Sequence, residues 1–256
     1  MRVITLGEIL LRFSTSEEIR IKNTDEFRVC YGGAETNVGV SLSQFGHKVS
    51  VASVLPECNP LSSAVLSRMH GYDVDTDLII EQPGRLGTYY LEQGNSVRGS
   101  QVTYDRKYSS IAMLEELCWD LDEIFKGVDL LHISGIVPAL SKKWQTWTVE
   151  IVKKAKEYGC LVSFDMNYRS KLWEYEEAYP CFQQIIPYVD ILSAGRLDAI
   201  HFLQVANAEE EVSLEEIYRR VKEKYANIKV LYSTKRNVIS TNHHELQGFY
   251  VGEDNN

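Results

Sequence analysis

Six short runs of almost unbroken apolar character, at positions 2–6, 49–54, 128–134, 160–166, 189–192 and 228–233, recur along the chain with helix-like stretches between them. A strand that does not alternate apolar and polar residues must be covered on both faces, the condition met in parallel sheets flanked by helices. The intervening helical patterns fall at 34–45, 60–70, 141–158, 175–186, 197–205 and 213–225. This β-α-β-α rhythm predicts an α/β fold: a doubly wound, mostly parallel sheet flanked by helices. Ligands in such folds bind at the carboxyl ends of the strands, so polar residues just after the apolar runs are the first candidates for a site.

Local signals sharpen several boundaries. Gly32-Gly33 lead into a helix in which Ala34, Val38, Leu42 and Phe45 share one stripe, with Gly46 as the stop. A helix that starts at glycine lets backbone N–H groups approach a ligand, and Asn37 adds a donor and an acceptor just inside it. A plain turn and helix start is the competing reading of these residues. Asn59-Pro60 supply an N-cap and first helical residue for a helix with Leu61, Val65, Leu66 and Met69 on one face, ending at Gly71. Ser213 and Glu216 have the spacing of a capping box. Residues 72–110 break the rhythm: two strand-like runs, 88–92 and 101–104, flank a turn at Gly94-Asn95 and read as an antiparallel flap around 85–110 standing off the main sheet. The whole, 1–256, reads as one domain with this inserted flap.

Composition removes several function classes. With 44% hydrophobic and 25% charged residues the chain is that of an ordinary globular protein. A net charge of −9 without a basic block argues against a nucleic-acid or anionic-membrane surface. No apolar run reaches the roughly 20 residues of a membrane span, and Glu8 interrupts any leader-like segment. The five cysteines form no C-x-x-C pair, so reduced thiols in a cytoplasmic protein are expected, with neither a zinc site nor a disulfide framework. Neither G-x-x-x-x-G-K-[ST] nor G-x-G-x-x-G occurs, which leaves P-loop and dinucleotide enzymes without support.

In its spacing and in Gly33, Ala34 and Asn37, the stretch from Tyr31 to Gly46 resembles the N-terminal signature of the ribokinase-like (PfkB) carbohydrate kinases. The resemblance runs along the chain and is closest to the 2-keto-3-deoxygluconate kinase branch, chiefly through Asp165-Met-Asn167-Tyr-Arg169 followed by Leu172-Trp173. It implies transfer of the γ-phosphoryl group of ATP, with Mg²⁺, to the terminal hydroxyl of a keto-deoxy sugar acid. It also implies that Gly33 and Asn37 hold hydroxyls, that Tyr89 and Tyr104 line the pocket, and that Arg106 and Arg169 neutralise the acid. Without it, the flap tyrosines and Arg106 could equally stiffen a hairpin or an oligomer interface. Asp165, Asn167 and Asp198 fall on its nucleotide and metal side, as do Thr234 and Lys235, although Ser233-Thr-Lys-Arg236 also reads as an ordinary solvated turn after a strand.

Two departures from the pattern stand out. Gly195-Arg-Leu-Asp198 lies where relatives carry an Asn or Ser three residues before a Glu. The Gly-Ala-Gly-Asp motif, whose aspartate is the base in this family, would follow the strand at 246–251, and the chain stops at Asn256 after what reads as a hairpin turn, 252–256. The expectation is therefore a kinase shortened at its carboxyl end, with little or no turnover and homo-oligomerisation through the flap. The alternatives are a non-catalytic sugar-acid binding module, or another ribokinase-family sugar kinase such as a fructokinase or ribokinase.

Overall fold

The computed structural model describes residues 1–16, 19–95, 98–240 and 243–252. In chain order the strands are β1 (Arg2–Leu6), β2 (Leu10–Ser14), β3 (Arg28–Gly32), β4 (Lys48–Pro56), β5 (Ile79–Gln82), β6 (Gly87–Glu92), β7 (Gln101–Asp105), β8 (Leu130–Ser134), β9 (Leu161–Asp165), β10 (Ile191–Ser193), β11 (Val230–Ser240) and β12 (His243–Val251). The helices are α1 (Ala34–Gln44), α2 (Pro60–His70), α3 (Leu121–Ile124), α4 (Lys142–Glu157), α5 (Tyr175–Ile185), α6 (Arg196–His201) and α7 (Leu214–Lys224). The chain resolves into two compact units.

The first unit comprises Met1–Leu6, Leu117–Lys235 and Gly248–Asn256. Its strands lie in the order β11-β10-β9-β8-β1, with β11 counted to Lys235 and every neighbouring pair parallel. Leu6, Leu131, Ile133, Val162, Phe164, Leu192 and Leu231 are completely buried, as unbroken apolar strands require. Helix α4 packs on β9 and buries Trp144, Thr148, Ile151, Val152 and Ala155 along one side. Phe182 of α5 meets Phe164, Trp173 and Phe202 edge to face at 5.0–5.7 Å, a ring cluster directly beneath the tip of β9.

The second unit comprises Gly7–Glu116 and Arg236–Gln247. It contains the parallel pair β4–β5, with α1 packed on β4, and a separate four-stranded sheet in the order β3-β2-β6-β7. The expected hairpin is present as β6–β7, antiparallel with Tyr89 opposite Tyr104. It is, however, only half of its sheet: β2 joins β6 in parallel and β3 flanks β2 antiparallel. Strands β2, β3 and β5 carry no clean period-2 signal and were not expected; pairing partners far along the chain stabilise them.

Three further expectations need correction. Phe45 is 80% exposed, and the buried side of α1 is Glu35, Thr36, Gly39 and Ser43. Small residues let the helix sit close, and the Ser43 hydroxyl donates to the Tyr72 and Asp73 carbonyls. In α2, Leu61 faces outward while the Ser62 hydroxyl, fully buried, donates to Pro56 O at 2.6 Å. Ser233-Thr-Lys-Arg236 is not a turn: β11 runs straight through it to Ser240. Asn59 does cap α2, accepting from Leu61 N at 2.9 Å, and Ser213 caps α7, accepting from Glu216 N. The Glu216 carboxylate turns instead to Arg219 and Arg220. The turn expected at 252–256 lies, beyond Gly252, outside the described residues.

Candidate functional site

Alternation along each strand sorts the four-stranded sheet into two faces. On one, Phe13 stacks on Tyr90 at 5.3 Å and Phe27 closes on both rings edge-on, a small apolar cluster. The other face carries Leu10, Arg12, Cys30, Gly32, Gly87, Tyr89, Tyr104 and Arg106. The register sets Cys30, Arg12, Tyr89 and Tyr104 side by side on successive strands. The Tyr89 and Tyr104 rings are 5.7 Å apart, and Tyr104 is 46% exposed, so their aromatic surface is open to a ligand.

Gly33 caps α1 in extended conformation, φ −168°. Its role is close approach: a Cβ there would sit 2.2 Å from the Glu8 carbonyl oxygen. Glu35, buried in the first turn of α1, already offsets the positive end of the helix dipole. A Cβ on Gly32 would lie 2.7 Å from Asn37 Oδ1, which puts the Asn37 amide over the Tyr89 face. Gly33, Asn37, Tyr89, Tyr104 and Arg106 thus all belong to the second unit, and four of the five border one sheet face.

Arg106 is not a free cation. It is buried and paired with the buried carboxylate of Glu8, whose Oε1 also accepts from the Ser109 hydroxyl at 2.5 Å. Burial pushes the Glu8 carboxyl above its ordinary range, while Arg106 and Ser109 act in the opposite direction. Gly87 makes room for this pair: a Cβ would lie 2.7 Å from Glu8 Oε1 and 2.6 Å from Leu10 Cδ2. Sequence reasoning passed over Glu8, Arg12 and Ser109. The available signal was Glu8 itself, an acid directly beyond a buried strand.

Asp165, Asn167, Arg169, Asp198, Thr234 and Lys235 belong to the first unit. Asp165 ends β9, and Asn167 bends the chain there with φ +36°. Asp198 turns back so that Oδ2 accepts from Gly195 N at 2.8 Å, closing the start of α6. Burial raises both carboxyls; the charge of Asp165 raises Asp198 further, and the exposed Arg169 pulls both down. Asp165 raises the proton affinity of Asp198, and two such carboxylates are hard-oxygen donors of the kind a hydrated Mg²⁺ takes. Among the described residues no group of three or more His, Cys, Asp or Glu side chains is arranged for direct metal ligation. Thr234 and Lys235 are exposed within β11.

The sequence profile of the pfkB family carbohydrate kinases matches residues 2–246. The chain belongs to this family. Among solved structures, a PfkB family carbohydrate kinase from Listeria grayi is 43% identical with a TM-score of 0.93, over 99% of this chain and 77% of that one. The 2-dehydro-3-deoxygluconokinase of Thermotoga maritima is 34% identical with a TM-score of 0.89, over 98% and 80%. Among curated proteins, the 2-dehydro-3-deoxygalactonokinase of Haloferax volcanii is 34% identical across 77% of this chain, and the 2-dehydro-3-deoxygluconokinase of Bacillus subtilis 29% across 66%. The chain spans 61% and 52% of the lengths of these two relatives. No helix among the described residues is long and apolar enough to cross a membrane.

Proposed function

We propose that this PfkB chain serves an ATP-dependent kinase of 2-keto-3-deoxy sugar acids, in which the γ-phosphoryl group passes to the sugar acid's terminal hydroxyl. The observation that supports this most is the Tyr89 face of the four-stranded sheet, where ring surfaces, an amide and guanidinium groups adjoin. Tyr89 and Tyr104 pack against the sugar's C–H surface and bond its hydroxyls; Asn37 and the backbone at Gly33 fix further hydroxyls. Guanidinium groups match a carboxylate by a two-pronged, charge-assisted contact that a neutral ketose cannot use. Arg106 and Arg169 keep their assignments toward the acid as part of this proposal.

Phosphoryl transfer needs alignment and charge neutralisation more than covalent help from the protein. Asp165 and Asp198 would hold Mg²⁺ through water, and the ion neutralises phosphate charge when bound. Asn167 positions the chain around that pair, and Thr234 and Lys235 are assigned to the nucleotide side. The reading places the reaction in the cytoplasm, where ATP and thiols coexist; the five cysteines are free. It includes self-association through the four-stranded sheet, whose edge strands β3 and β7 expose Val29, Val102 and Tyr104. Light scattering that returns a monomer at all concentrations contradicts that component.

Calorimetry on the full chain tests the substrate class, with 2-keto-3-deoxygluconate set against ribose and fructose. The acid is expected to bind at least roughly tenfold more tightly, the margin of one charge-assisted contact. Equal or weaker binding of the acid overturns the proposal.

A further inference from the structure

One face of the parallel sheet in the first unit carries a polar seam. Pairing sets Asp165 of β9, Ser193 of β10 and Tyr232 of β11 side by side on one rung. Two residues back along β9, hence on the same face, Ser163 is paired with His132 of β8. The opposite face of these strands holds Val162, Phe164, Leu192 and Leu231, all completely buried. Hydroxyls and an imidazole beside such a core are unfavourable unless each finds a partner. Here they partner one another. His132 Nδ1 is 3.0 Å from the Ser163 hydroxyl. Tyr232 is half-buried, and its hydroxyl is within hydrogen-bonding reach of Ser163 on one side and Ser193 on the other. Ser193 in turn reaches the Asp165 carboxylate, which also takes the Asn167 backbone N–H.

The direction of this chain follows from its end. A carboxylate only accepts, so Ser193 donates to Asp165, and each hydroxyl has one proton to give. Ser193 therefore accepts from Tyr232, Tyr232 accepts from Ser163, and Ser163 accepts from Nδ1–H of the neutral His132. A lone serine hydroxyl swings among acceptors. One whose oxygen is already engaged by Tyr232 has its proton aimed at Asp165, and each bond in such a chain polarises the next. We infer that Tyr232 is a positioning residue: through Ser193 it holds the Asp165 carboxylate in the orientation that accepts from a water of hydrated Mg²⁺. This rests on the reading of Asp165 and Asp198 as the metal side of the site. Hydrogen bonds behind a metal-binding group set its direction, so their loss is read in the affinity for the ion.

The experiment is a titration of the full chain with Mn²⁺, standing in for Mg²⁺, followed by electron paramagnetic resonance. The binding component that Asp165→Asn removes defines the site. Tyr232→Phe, which keeps the ring and loses the hydroxyl, should weaken that component by roughly three- to thirtyfold. Ser193→Ala tests the same link from the other side and should weaken it comparably, while Ser193→Thr, which keeps the hydroxyl, should restore most of the affinity. Because both act through one chain, the double variant should bind within about twofold of the weaker single variant. A Tyr232 with a purely structural role would lower the urea midpoint and leave Mn²⁺ affinity unchanged. Tyr232→Phe that binds Mn²⁺ like the parent, or effects of the two variants that multiply, overturns the inference and leaves the metal reading intact. A parent chain with no component lost in Asp165→Asn overturns both.

Discussion

At the scale of single residues, the second unit turns on Glu8, which meets Arg106 and Ser109 through its carboxylate and Gly33 through its carbonyl. An acid directly beyond a buried strand marks Glu8, but nothing local names its partner, because the two members of the ion pair are 98 positions apart in the chain. Removing one partner of a buried pair leaves the other charge uncompensated. Glu8→Ala should therefore cost about 3–5 kcal/mol in urea unfolding, and adding Arg106→Met should recover most of that. A Glu8→Ala chain as stable as the parent would show that the pair contributes nothing. Gly33, Asn37, Tyr89 and Tyr104 were named from the sequence as candidates through a resemblance and through turn chemistry, and the structure puts them in the same unit as Glu8. Arg12 was not, because a lone arginine in Leu-Leu-Arg-Phe-Ser gains meaning only when three neighbouring strands place Cys30 and Tyr89 beside it.

At the scale of elements, boundaries set by local chemistry were legible and those set by distant pairing were not. Asn59-Pro60 and Ser213 begin their helices as read, since a cap needs only its own next few residues. Strand β11 was legible only to Ser233: its polar outer half looks like a turn in isolation and is held in the sheet beside β12. Helix α1 was misread on its buried side because small polar residues, not Phe45, line it. The join between α4 and the sheet is another long-range feature. Asp190, 4% exposed, accepts from Lys156 Nζ at 2.7 Å and from Val162 N at 2.8 Å, tying α4 to β9. Asp190→Ala leaves a backbone N–H and an ammonium without their acceptor, so a loss of about 2–4 kcal/mol is expected by chemical unfolding. A change below about 0.5 kcal/mol, the size of an ordinary surface substitution, would refute that role.

At the scale of the whole molecule, the alternation of apolar strands and helices predicted the mostly parallel α/β architecture because it is a global pattern. One buried group links that architecture to pH. His132 lies inside β8, and burial lowers its pKa from 6.5 to about 4, so it is neutral near pH 7 with Nδ1 3.0 Å from the Ser163 hydroxyl. Between those two values the unfolded chain binds a proton that the folded chain does not. Stability contributed by the neutral imidazole is therefore complete above about pH 6.5, falls as pH drops toward 4, and is reduced by about 3 kcal/mol below that. His132→Gln should flatten this slope in unfolding measured from pH 7 to 4.5; an unchanged slope removes His132 as its source.

The central claim is that a sugar acid binds to the Tyr89 face of the four-stranded sheet, and hydrogen–deuterium exchange of the full chain with and without 2-keto-3-deoxygluconate tests it most directly. Strand β7 is exposed along its whole length and lies at the sheet edge, so its amides should exchange readily in the free protein. Binding should slow exchange in Gln101–Asp105 and around Gly33 and Asn37. Saturating acid that leaves these segments unchanged, or protects only segments elsewhere, would contradict the account.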